Sequence, residues 1–292
     1  MKVHKYPDGS AYVEYIPEPY NNYAIIRINS YEDLWHLTQY VDAANHNGII
    51  PNIIIPCLLD GQADRRFESN QSPGLKLICK HLNSLKAKFK IFHPHNAEVV
   101  EALIDNVEIV DNYSFILNVL WDIKNNDLDR YPVVMKDEYD HTYIGSIPYD
   151  SRIKDNLVLL APDAGAYKWI TKVCDKLKWK GQLISASKSR TYEDGKTKLT
   201  QILNEQDLGG KDVLLIDDIC IGGRSAIGLA KLLKSRNVGK LYAAFSHITI
   251  PNPDPELFEL FDHVYTTNSK GLNYINTKSF GEALNLTVTT EF

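Results

Sequence analysis

Apolar and polar residues follow two rhythms along the chain. Short runs rich in Ile, Val and Leu indicate buried strands, and between them apolar residues recur every three or four positions, which indicates amphipathic helices. In residues 33–45, for example, Leu34, Leu37 and Val41 fall on one helical face. The predicted strands are residues 22–29, 51–56, 89–93, 108–110, 157–161, 182–187, 212–216, 240–247 and 263–267. The predicted helices are residues 33–45, 74–85, 115–125, 166–177 and 225–235.

This alternation of strands and helices occurs in both halves of the chain and predicts two α/β units with parallel sheets. Residues 126–155 have mixed polarity and contain the turn formers Gly145, Pro148 and Asp150. We therefore predict one domain over residues 1–149 and a second over 150–292. Ligands of parallel α/β sheets bind at the carboxyl ends of the strands, so polar residues that follow a strand are the candidates for a site.

The composition of the chain is that of a globular protein. Its 292 residues suffice for two domains, and 44% apolar with 24% charged residues argue against disorder. The net charge of −5 argues against broad nucleic-acid binding, which usually needs a basic surface. A local basic pocket for phosphate groups remains compatible with this charge.

The cysteines and the apolar runs point to a reducing compartment. Cys57, Cys79, Cys174 and Cys220 have no zinc-site spacing and lie in or beside apolar runs, which predicts buried thiols. No apolar run is as long as a membrane span, and the N-terminus lacks the apolar region of a signal peptide. We expect a cytoplasmic protein without a membrane partner.

The segment 213–225 carries the strongest chemical signal, because a buried strand runs into two acids, two glycines and a helix. Asp217 and Asp218 could bind vicinal ribose hydroxyls or help to hold a metal ion. Gly222 and Gly223 would let backbone N–H groups approach a phosphate at the helix N-terminus, where Arg224 could add bidentate contacts. The simpler alternative is an acidic turn that caps a helix.

Two further strand ends in the second half carry polar residues. Asp163 follows a strand and precedes a helix, which suits a metal or hydroxyl ligand but equally a helix N-cap. Lys188 and Arg190 stand at the root of the polar segment 191–198, which we interpret as a flexible lid over a polyphosphate. A solvated loop is the alternative for that segment.

The first half contributes candidates at two strand ends. His93 and His95 follow one strand, and one of them could ligate a metal, although His-Pro-His is not a zinc signature. After another strand come Gln62, Asp64 and Arg65, followed by Arg66, and the two arginines could meet a nucleotide. The chain has no Walker A motif, so any ATP site is of another type.

These segments, in this order, resemble the ribose-phosphate pyrophosphokinases (PRPP synthetases) over nearly the whole chain. Each match alone is weak, but their shared order is specific. The matching segments are Tyr6-Pro7-Asp8-Gly9, residues 55–66, residues 92–95, Pro162-Asp163-Ala164-Gly165, Lys188-Ser189-Arg190, Ile216-Asp217-Asp218 and Ser246-His247.

The resemblance implies an α/β fold of two similar phosphoribosyltransferase-type domains, each a mainly parallel sheet flanked by helices. The N-terminal domain would bind the nucleotide, and the C-terminal domain would bind the ribose phosphate. It also implies Mg²⁺ and ATP, transfer of the β,γ-diphosphoryl group to the anomeric hydroxyl of a ribose-5-phosphate moiety, and assembly into dimers or hexamers. In the family, the nucleotide loop can come from a neighbouring subunit.

The family's roles carry over by position. Lys188 and Arg190 would stabilise the transferring group, and His95 and Asp163 would help to hold Mg²⁺. The residues expected around ATP are Tyr6, Asp8, Gln62, Asp64, Arg65 and His95. The residues expected around the sugar phosphate are Asp217, Asp218, Cys220, Ile221, Gly222, Gly223, Arg224 and Ser225.

The chain departs from the family pattern where the 5-phosphate would bind. An acidic residue of the signature is Ile221 here, and its two threonines are Gly222 and Ser225. Two glycines and Arg224 make a roomier site, which favours a phosphate that continues into a larger group. Phage-type relatives act on ADP-ribose in NAD rebuilding, so we expect ADP-ribose as acceptor, with ribose 5-phosphate close behind. On the nucleotide side, the family's Arg-Gln pair is Gln62-Ala63 here and its Glu is Ser10.

Two other functions fit parts of the pattern. A phosphoribosyltransferase shares the Asp-Asp strand and loop but does not account for a duplicated domain or for Lys188 and Arg190. A non-catalytic regulatory paralogue would account for the changes at Ser10, Gln62 and Ile221. Retention of Lys188, Arg190, His95 and Asp163 argues against it.

Overall fold

The computed structural model describes residues 1–16, 23–66, 68–125, 135–136, 142–143, 156–193, 196–203, 207–271 and 286–289. Contacts within the chain separate two compact units. The first is built from Met1–Asn112 and Asn268–Leu272, and the second from Tyr113–Thr267 and Asn273–Thr289.

The first unit contains a small hairpin and a parallel sheet. Strands β1 (Lys2–Lys5) and β2 (Ala11–Glu14) pair antiparallel. The sheet has the order β3-β4-β5-β6, which is also the order along the chain, and all three pairings are parallel. Its strands are β3 (Tyr23–Ile25), β4 (Asn52–Ile55), β5 (Lys88–Phe92) and β6 (Val107–Val110). The helices are α1 (Tyr31–His46), α2 (Gly74–Ser84) and α3 (Ala97–Leu103).

The core of the first unit lies between the three helices and one face of this sheet. Leu37 of α1, Leu75 of α2 and Val100 of α3 belong to one buried cluster with Ile53 and Phe89 of the sheet. Because side chains alternate across a strand, every second strand residue enters this cluster and the others point to the opposite face.

The second unit is built on a seven-stranded sheet with the order β11-β10-β9-β12-β13-β14-β15. Its strands are β9 (Leu157–Ala161), β10 (Gln182–Glu193), β11 (Lys196–Leu203), β12 (Asp212–Cys220), β13 (Leu241–Ile248), β14 (His263–Thr267) and β15 (Leu286–Thr289). All described pairings are parallel except that of β11 with β10. The helices are α4 (Tyr113–Asn125), α5 (Ala164–Leu177), α6 (Arg224–Lys234) and α7 (Pro255–Leu260). Strands β7 (Met135–Lys136) and β8 (Thr142–Tyr143) form a separate short pair.

Helices cover both faces of the larger sheet. On one face Leu229 of α6 and Leu257 of α7 share a cluster with Leu215 of β12. On the other, α4 and α5 pack against Leu214 and Ile216 of β12. Strand order reverses between β9 and β12, because β9 leads to β10 on one side and β12 leads to β13 on the other. Such a switch point opens a crevice at the carboxyl ends of the two strands, where ligands bind in this class of fold.

The predicted α/β class with parallel sheets is confirmed, and every strand and helix predicted from the sequence has a counterpart. The pattern missed the β1–β2 hairpin, the short β7–β8 pair, the edge strand β15 and the short helices α3 and α7. The prediction of a loop over residues 191–198 is wrong, since β10 and β11 pair as an antiparallel hairpin in which Arg190 lies opposite Leu199. Strand formers in residues 196–203, such as Thr197, Thr200 and Ile202, complete that ladder despite the polar composition.

The predicted domain boundary falls within residues 126–155, of which only four are described before Asn156. The division between 149 and 150 therefore stays a prediction. Helix α4 belongs to the second unit, because Phe115, Val119 and Ile123 pack into the cluster that covers β9 and β12.

The four cysteines all lie in the described part of the chain, and each is a buried thiol, as the sequence predicts. None of the helices described here has the length and apolar character needed to cross a membrane.

Candidate functional site

Asp217 and Asp218 lie at the carboxyl end of β12, the central strand of the second unit. The backbone N–H of Asp218 donates a 2.9 Å hydrogen bond to Oδ1 of Asp217. The N–H of Ile219 donates one of 2.8 Å to Oδ1 of Asp218, whose side chain is buried. These local bonds hold both carboxylates at the edge of the sheet.

The environment of Asp217 disfavours its negative charge. Burial raises the pKa of this carboxyl well above its usual range, and the carboxylates of Asp218 and Asp163 raise it further. Three acidic groups thus act on one another where the strand order reverses. A hydroxyl donor or a cation placed among them would relieve this repulsion.

Asp163 follows β9, the neighbour of β12, and begins α5. Its Oδ1 accepts a 3.1 Å hydrogen bond from the N–H of Ala166, so it is the N-cap of the helix. The pairing of Leu160 with Leu215 brings the ends of β9 and β12 to the same edge. Asp163 is therefore a helix cap whose charge also reaches Asp217. Its role as a metal or hydroxyl ligand stays a prediction.

The loop after β12 turns sharply at Gly223, which has φ +82° and ψ −4°. Only glycine adopts this left-handed conformation without strain, and a Cβ atom here would also lie 3.4 Å from Leu257. The loop is fixed by hydrogen bonds from the N–H of Thr249 to the oxygen of Cys220 and from the N–H of Asp254 to that of Gly222. Burial raises the pKa of the Cys220 thiol to about 12, so Cys220 is a packing residue here.

Helix α6 starts directly after this turn. Among the described residues, no side chain caps its N-terminus, and no acidic residue lies in its first turn. Arg224 and Ser225 are exposed at that end. Backbone N–H groups and the partial positive charge of a helix N-terminus bind anions, so this turn is suited to a phosphate group.

In the first unit, the ends of β4 and β5 bring a second group of candidates together. Asn96 donates a 2.9 Å hydrogen bond through Nδ2 to Oδ2 of Asp64, and Arg65 donates one of 3.3 Å through Nε to Oδ1. Burial by itself would raise the pKa of Asp64. The two hydrogen bonds and the positive charges of Arg65 and His95 have the larger combined effect, so the pKa is lowered. The Asp64 carboxylate, the Arg65 guanidinium and the His95 imidazole form one polar cluster.

Asn96 is a residue that sequence reasoning missed. Besides its bond to Asp64, its Oδ1 accepts a 3.2 Å hydrogen bond from the N–H of Val99, so it caps α3. An Asn between a strand and the apolar pair Val99-Val100 is the signal that could have indicated this cap.

Tyr6 and Asp8 lie on the β1–β2 hairpin of the first unit. The side chain of Tyr6 is exposed and its ring lies 5.7 Å from that of Tyr12. Asp8 accepts one hydrogen bond from the hydroxyl of Ser10 and one from its N–H. These bonds lower the pKa of Asp8, and the bond from the hydroxyl has the larger effect. Gln62 is exposed in the loop after β4. The roles of these residues toward a nucleotide stay predictions.

Lys188 and Arg190 both lie in β10, opposite Gln201 and Leu199 of β11. Their side chains lie outside the described residues. His95 belongs to the first unit and Asp163 to the second. The described residues contain no group of three His, Cys, Asp or Glu side chains placed to hold a metal ion.

Sequence comparisons agree with the resemblance seen in the motifs. A profile described as "Phosphoribosyl transferase domain" matches residues 149–258. The ribose-phosphate pyrophosphokinase of Chlorobaculum tepidum is 30% identical over 138 residues, which are 45% of this chain and 41% of that protein. That of Thermosipho africanus is 23% identical over 219 residues, 74% of this chain and 59% of that protein. That of Pyrococcus abyssi is 22% identical over 252 residues, 85% of this chain and 75% of that protein.

The matches thus span about half the length of the first two of these relatives. Among solved structures, the phosphoribosylpyrophosphate synthetase from Mycobacterium smegmatis aligns with a TM-score of 0.72 at 17% identity, over 99% of this chain and 85% of that chain. The predicted resemblance to ribose-phosphate pyrophosphokinases is confirmed, and the structural match shows that the two proteins share a fold.

Proposed function

We propose that this chain is an ATP-dependent diphosphokinase that transfers the β,γ-diphosphoryl group of ATP to the anomeric hydroxyl of a ribose-5-phosphate moiety, releasing AMP. The observation that carries this proposal is the arrangement at the switch point. Asp217 and Asp218 lie near the carboxyl end of β12, and Asp163, which follows β9, acts on Asp217. The Gly223 turn presents the uncapped N-terminus of α6. Hydroxyl-binding carboxylates beside a phosphate-binding turn suit a phosphorylated ribose.

The donor set also suits Mg²⁺. Mg²⁺ is commonly held by one or two carboxylates together with substrate phosphates and water, rather than by a cage of protein ligands. Asp163 and Asp217 supply oxygen ligands, and crowding among the three acids means that a divalent cation would be attracted to them. When bound, the ion would neutralise charge on the phosphates of ATP. His95, which we predict to assist at the nucleotide, lies beside Asp64 and Arg65.

Within this function we propose ADP-ribose as the preferred acceptor, which would give ADP-ribose 1-pyrophosphate, with ribose 5-phosphate the close second. Three features of the turn support the preference. Ile221 is 50% exposed, Gly222 has no other atom within 4 Å of where a Cβ would stand, and Arg224 is exposed. An open turn with its own cation suits a phosphate that continues into a second phosphate and a nucleoside.

The reacting groups complete the proposal. Lys188 and Arg190 would stabilise the charge of the transferring group from β10, the strand beside β9. The nucleotide would be bound by residues of the first unit, namely Asp64, Arg65, Gln62, Tyr6, Asp8 and His95. We expect a homo-oligomer, a dimer or a hexamer, as the resemblance implies.

The test is AMP release in the presence of Mg²⁺, ATP and one acceptor at a time. We expect AMP with ADP-ribose at a higher kcat/KM than with ribose 5-phosphate, and a product that carries two additional phosphates. Turnover with ribose 5-phosphate alone would show that the preference is wrong while the reaction is right. If AMP is released with neither ADP-ribose nor ribose 5-phosphate as acceptor, the proposed reaction itself is wrong.

The match to a phosphoribosyltransferase domain over residues 149–258 favours one alternative, a transferase that joins a base to an activated ribose phosphate. The two reactions differ in their needs. A phosphoribosyltransferase releases diphosphate only when a base is present, whereas the proposed reaction forms AMP from ATP without any base. AMP formation from ATP in the absence of any base would therefore exclude the phosphoribosyltransferase.

A further inference from the structure

Asn96, the N-cap of α3, holds the side chain of Asp64 in one orientation. Its Oδ1 accepts a 3.2 Å hydrogen bond from the N–H of Val99, and its Nδ2 donates one of 2.9 Å to Oδ2 of Asp64. The N–H of Val99 can bond only to the oxygen of this amide, so the amide nitrogen must face Asp64. Val100 of the same helix is fully buried in the core of the first unit. The amide of Asn96 is therefore fixed to a rigid part of the fold.

The Asp64 carboxylate in turn holds the guanidinium of Arg65. Oδ1 of Asp64, the oxygen that Asn96 does not bond, accepts a 3.3 Å hydrogen bond from Nε of Arg65. The side chain of Asp64 is 11% exposed and that of Arg65 is 70% exposed. An exposed ion pair alone is loosely held and contributes little to stability. Here both oxygens of the carboxylate are bonded, which restricts its rotation and gives the guanidinium a fixed partner.

The bond through Nε leaves the terminal nitrogens of Arg65 available for a ligand. Among the residues that the structure describes, this guanidinium has no ion-pair partner other than Asp64. Parallel N–H groups of a guanidinium match two oxygens of a phosphate, and a guanidinium that is already oriented loses less freedom on binding. Arg65 lies in the loop after β4, at the edge of the sheet where ligands bind in this class of fold.

We infer that Asn96 is a positioning residue for the binding of the nucleotide's phosphate groups, and that it acts through Asp64 on Arg65. This inference rests on the proposed function, which assigns the nucleotide to the first unit. Asn96 itself need not contact the ligand, because its amide orients Asp64 and Asp64 orients the guanidinium. The capping role and the positioning role use different atoms of Asn96, so substitution can separate them.

The test is isothermal titration of the full chain with ATP and with adenosine, in the presence of Mg²⁺ and without an acceptor. Asn96→Ser keeps a capping oxygen but lacks the amide donor. It should raise the Kd of ATP about tenfold, the size expected for a lost hydrogen bond to a charged group. The Kd of adenosine, which carries no phosphate, should stay unchanged. Asn96→Thr is a second variant of the same kind, in case the serine variant does not fold.

A double-mutant cycle decides whether Asn96 acts through Arg65. Arg65→Ala should itself raise the Kd of ATP about tenfold or more, because it removes a charged partner of the phosphates. Adding Asn96→Ser to Arg65→Ala should cause no further loss, since the group on which Asn96 acts is gone. Asn83→Ser is the matched control. Asn83 makes a similar 3.3 Å bond to Asp105 before the amino end of β6, and its loss should leave the Kd of ATP unchanged.

Two results would overturn the inference. One is an unchanged Kd of ATP in both Asn96→Ser and Asn96→Thr, and the other is a set of losses from Asn96→Ser and Arg65→Ala that simply add. If the unchanged protein binds no ATP, the proposed function is wrong. The positioning role is then decided without ligand, by NMR measurement of hydrogen exchange at the Nε–H of Arg65. This exchange should be several-fold faster in Asn96→Ser, and an equal rate would show that Asn96 does not fix the guanidinium.

Discussion

The N–H of Asp218 donates a 2.9 Å hydrogen bond to the carboxylate of Asp217. The two acids, which are neighbours in sequence, therefore interact with each other near the carboxyl end of β12. This bond favours the charge of Asp217, but burial and the nearby carboxylates outweigh it. The surroundings of Asp217 therefore disfavour its negative charge. A cation or a hydroxyl donor bound beside it would favour the ionised form.

Asp217→Asn should stabilise the folded protein near neutral pH. A carboxyl group whose pKa is raised in the folded state favours folding when protonated, and that contribution is lost as pH rises through the raised pKa. The variant lacks this loss, so its free energy of unfolding should exceed that of the unchanged protein near neutral pH.

Thermal unfolding from neutral pH down to pH 4 measures this effect. The advantage of Asp217→Asn should shrink as pH falls toward the ordinary pKa of 3.8. Asp175→Asn, an exposed residue of α5, is the control and should show no such gain. An Asp217→Asn variant that is less stable at neutral pH would show that this carboxylate stabilises the fold.

Gly223→Ala should destabilise the protein by more than about 1 kcal/mol, because alanine is strained at φ +82°. The added Cβ also meets Leu257 at 3.4 Å. Gly222→Ala is the matched control, with no positive φ and no atom within 4 Å of its Cβ, and should change stability by less than about 0.5 kcal/mol. Denaturant titration compares the two, and equal losses would rule out backbone conformation as the cause.

Asp163 has a structural role and a proposed chemical role, and two substitutions separate them. Asp163→Ala should lower the free energy of unfolding by about 1 kcal/mol through loss of the α5 cap. Asp163→Asn keeps a capping oxygen and should retain most of that stability. If the carboxylate helps to hold Mg²⁺, both variants should raise the Mg²⁺ concentration needed for half-maximal turnover. Full activity of Asp163→Asn would leave only the capping role.

Lys188→Ala should lower kcat by about 10²–10³-fold, the effect typical of removing a group that stabilises transition-state charge. Lys172→Ala, at an exposed position of α5, should leave kcat unchanged. AMP release under saturating ATP and acceptor is the measurement. A change in KM alone would indicate that Lys188 binds the substrate without assisting transfer.

The thiols should resist alkylation while the protein is folded. Burial raises the pKa of Cys79 and Cys174 to about 11 and that of Cys220 to about 12. At pH 8 almost none of these groups is thiolate, the reactive form. Mass spectrometry after iodoacetamide treatment should find them unmodified in the native state and modified in denaturant. Rapid modification of Cys220 in the native protein would show that the loop after β12 opens.

Local signals in the sequence predicted strands and helices correctly. Strand and helix positions follow from periodicity, and the segment 213–225 follows from an apolar run that ends in acids and glycines. The loop conformation of residues 191–198 was predicted wrongly because a polar segment can form a strand when a neighbouring strand completes its hydrogen bonds. Its role as a lid stays a prediction. Asn96 was missed because its bond to Asp64 joins positions 32 residues apart.

The sequence by itself determined the positions of strands and helices, the polar residues that follow each strand and the order of motifs that resembles a known family. All three can be predicted because they depend on the order of residues along the chain. Only the tertiary structure decided that Asp163 acts on Asp217, because the strand order sets β9 beside β12. It also decided that α1, α2 and α3 pack on the same face of the first sheet, because sequential strand order with crossovers of one hand places the connecting helices on one side. Strand order depends on contacts between distant segments, and no local pattern encodes it.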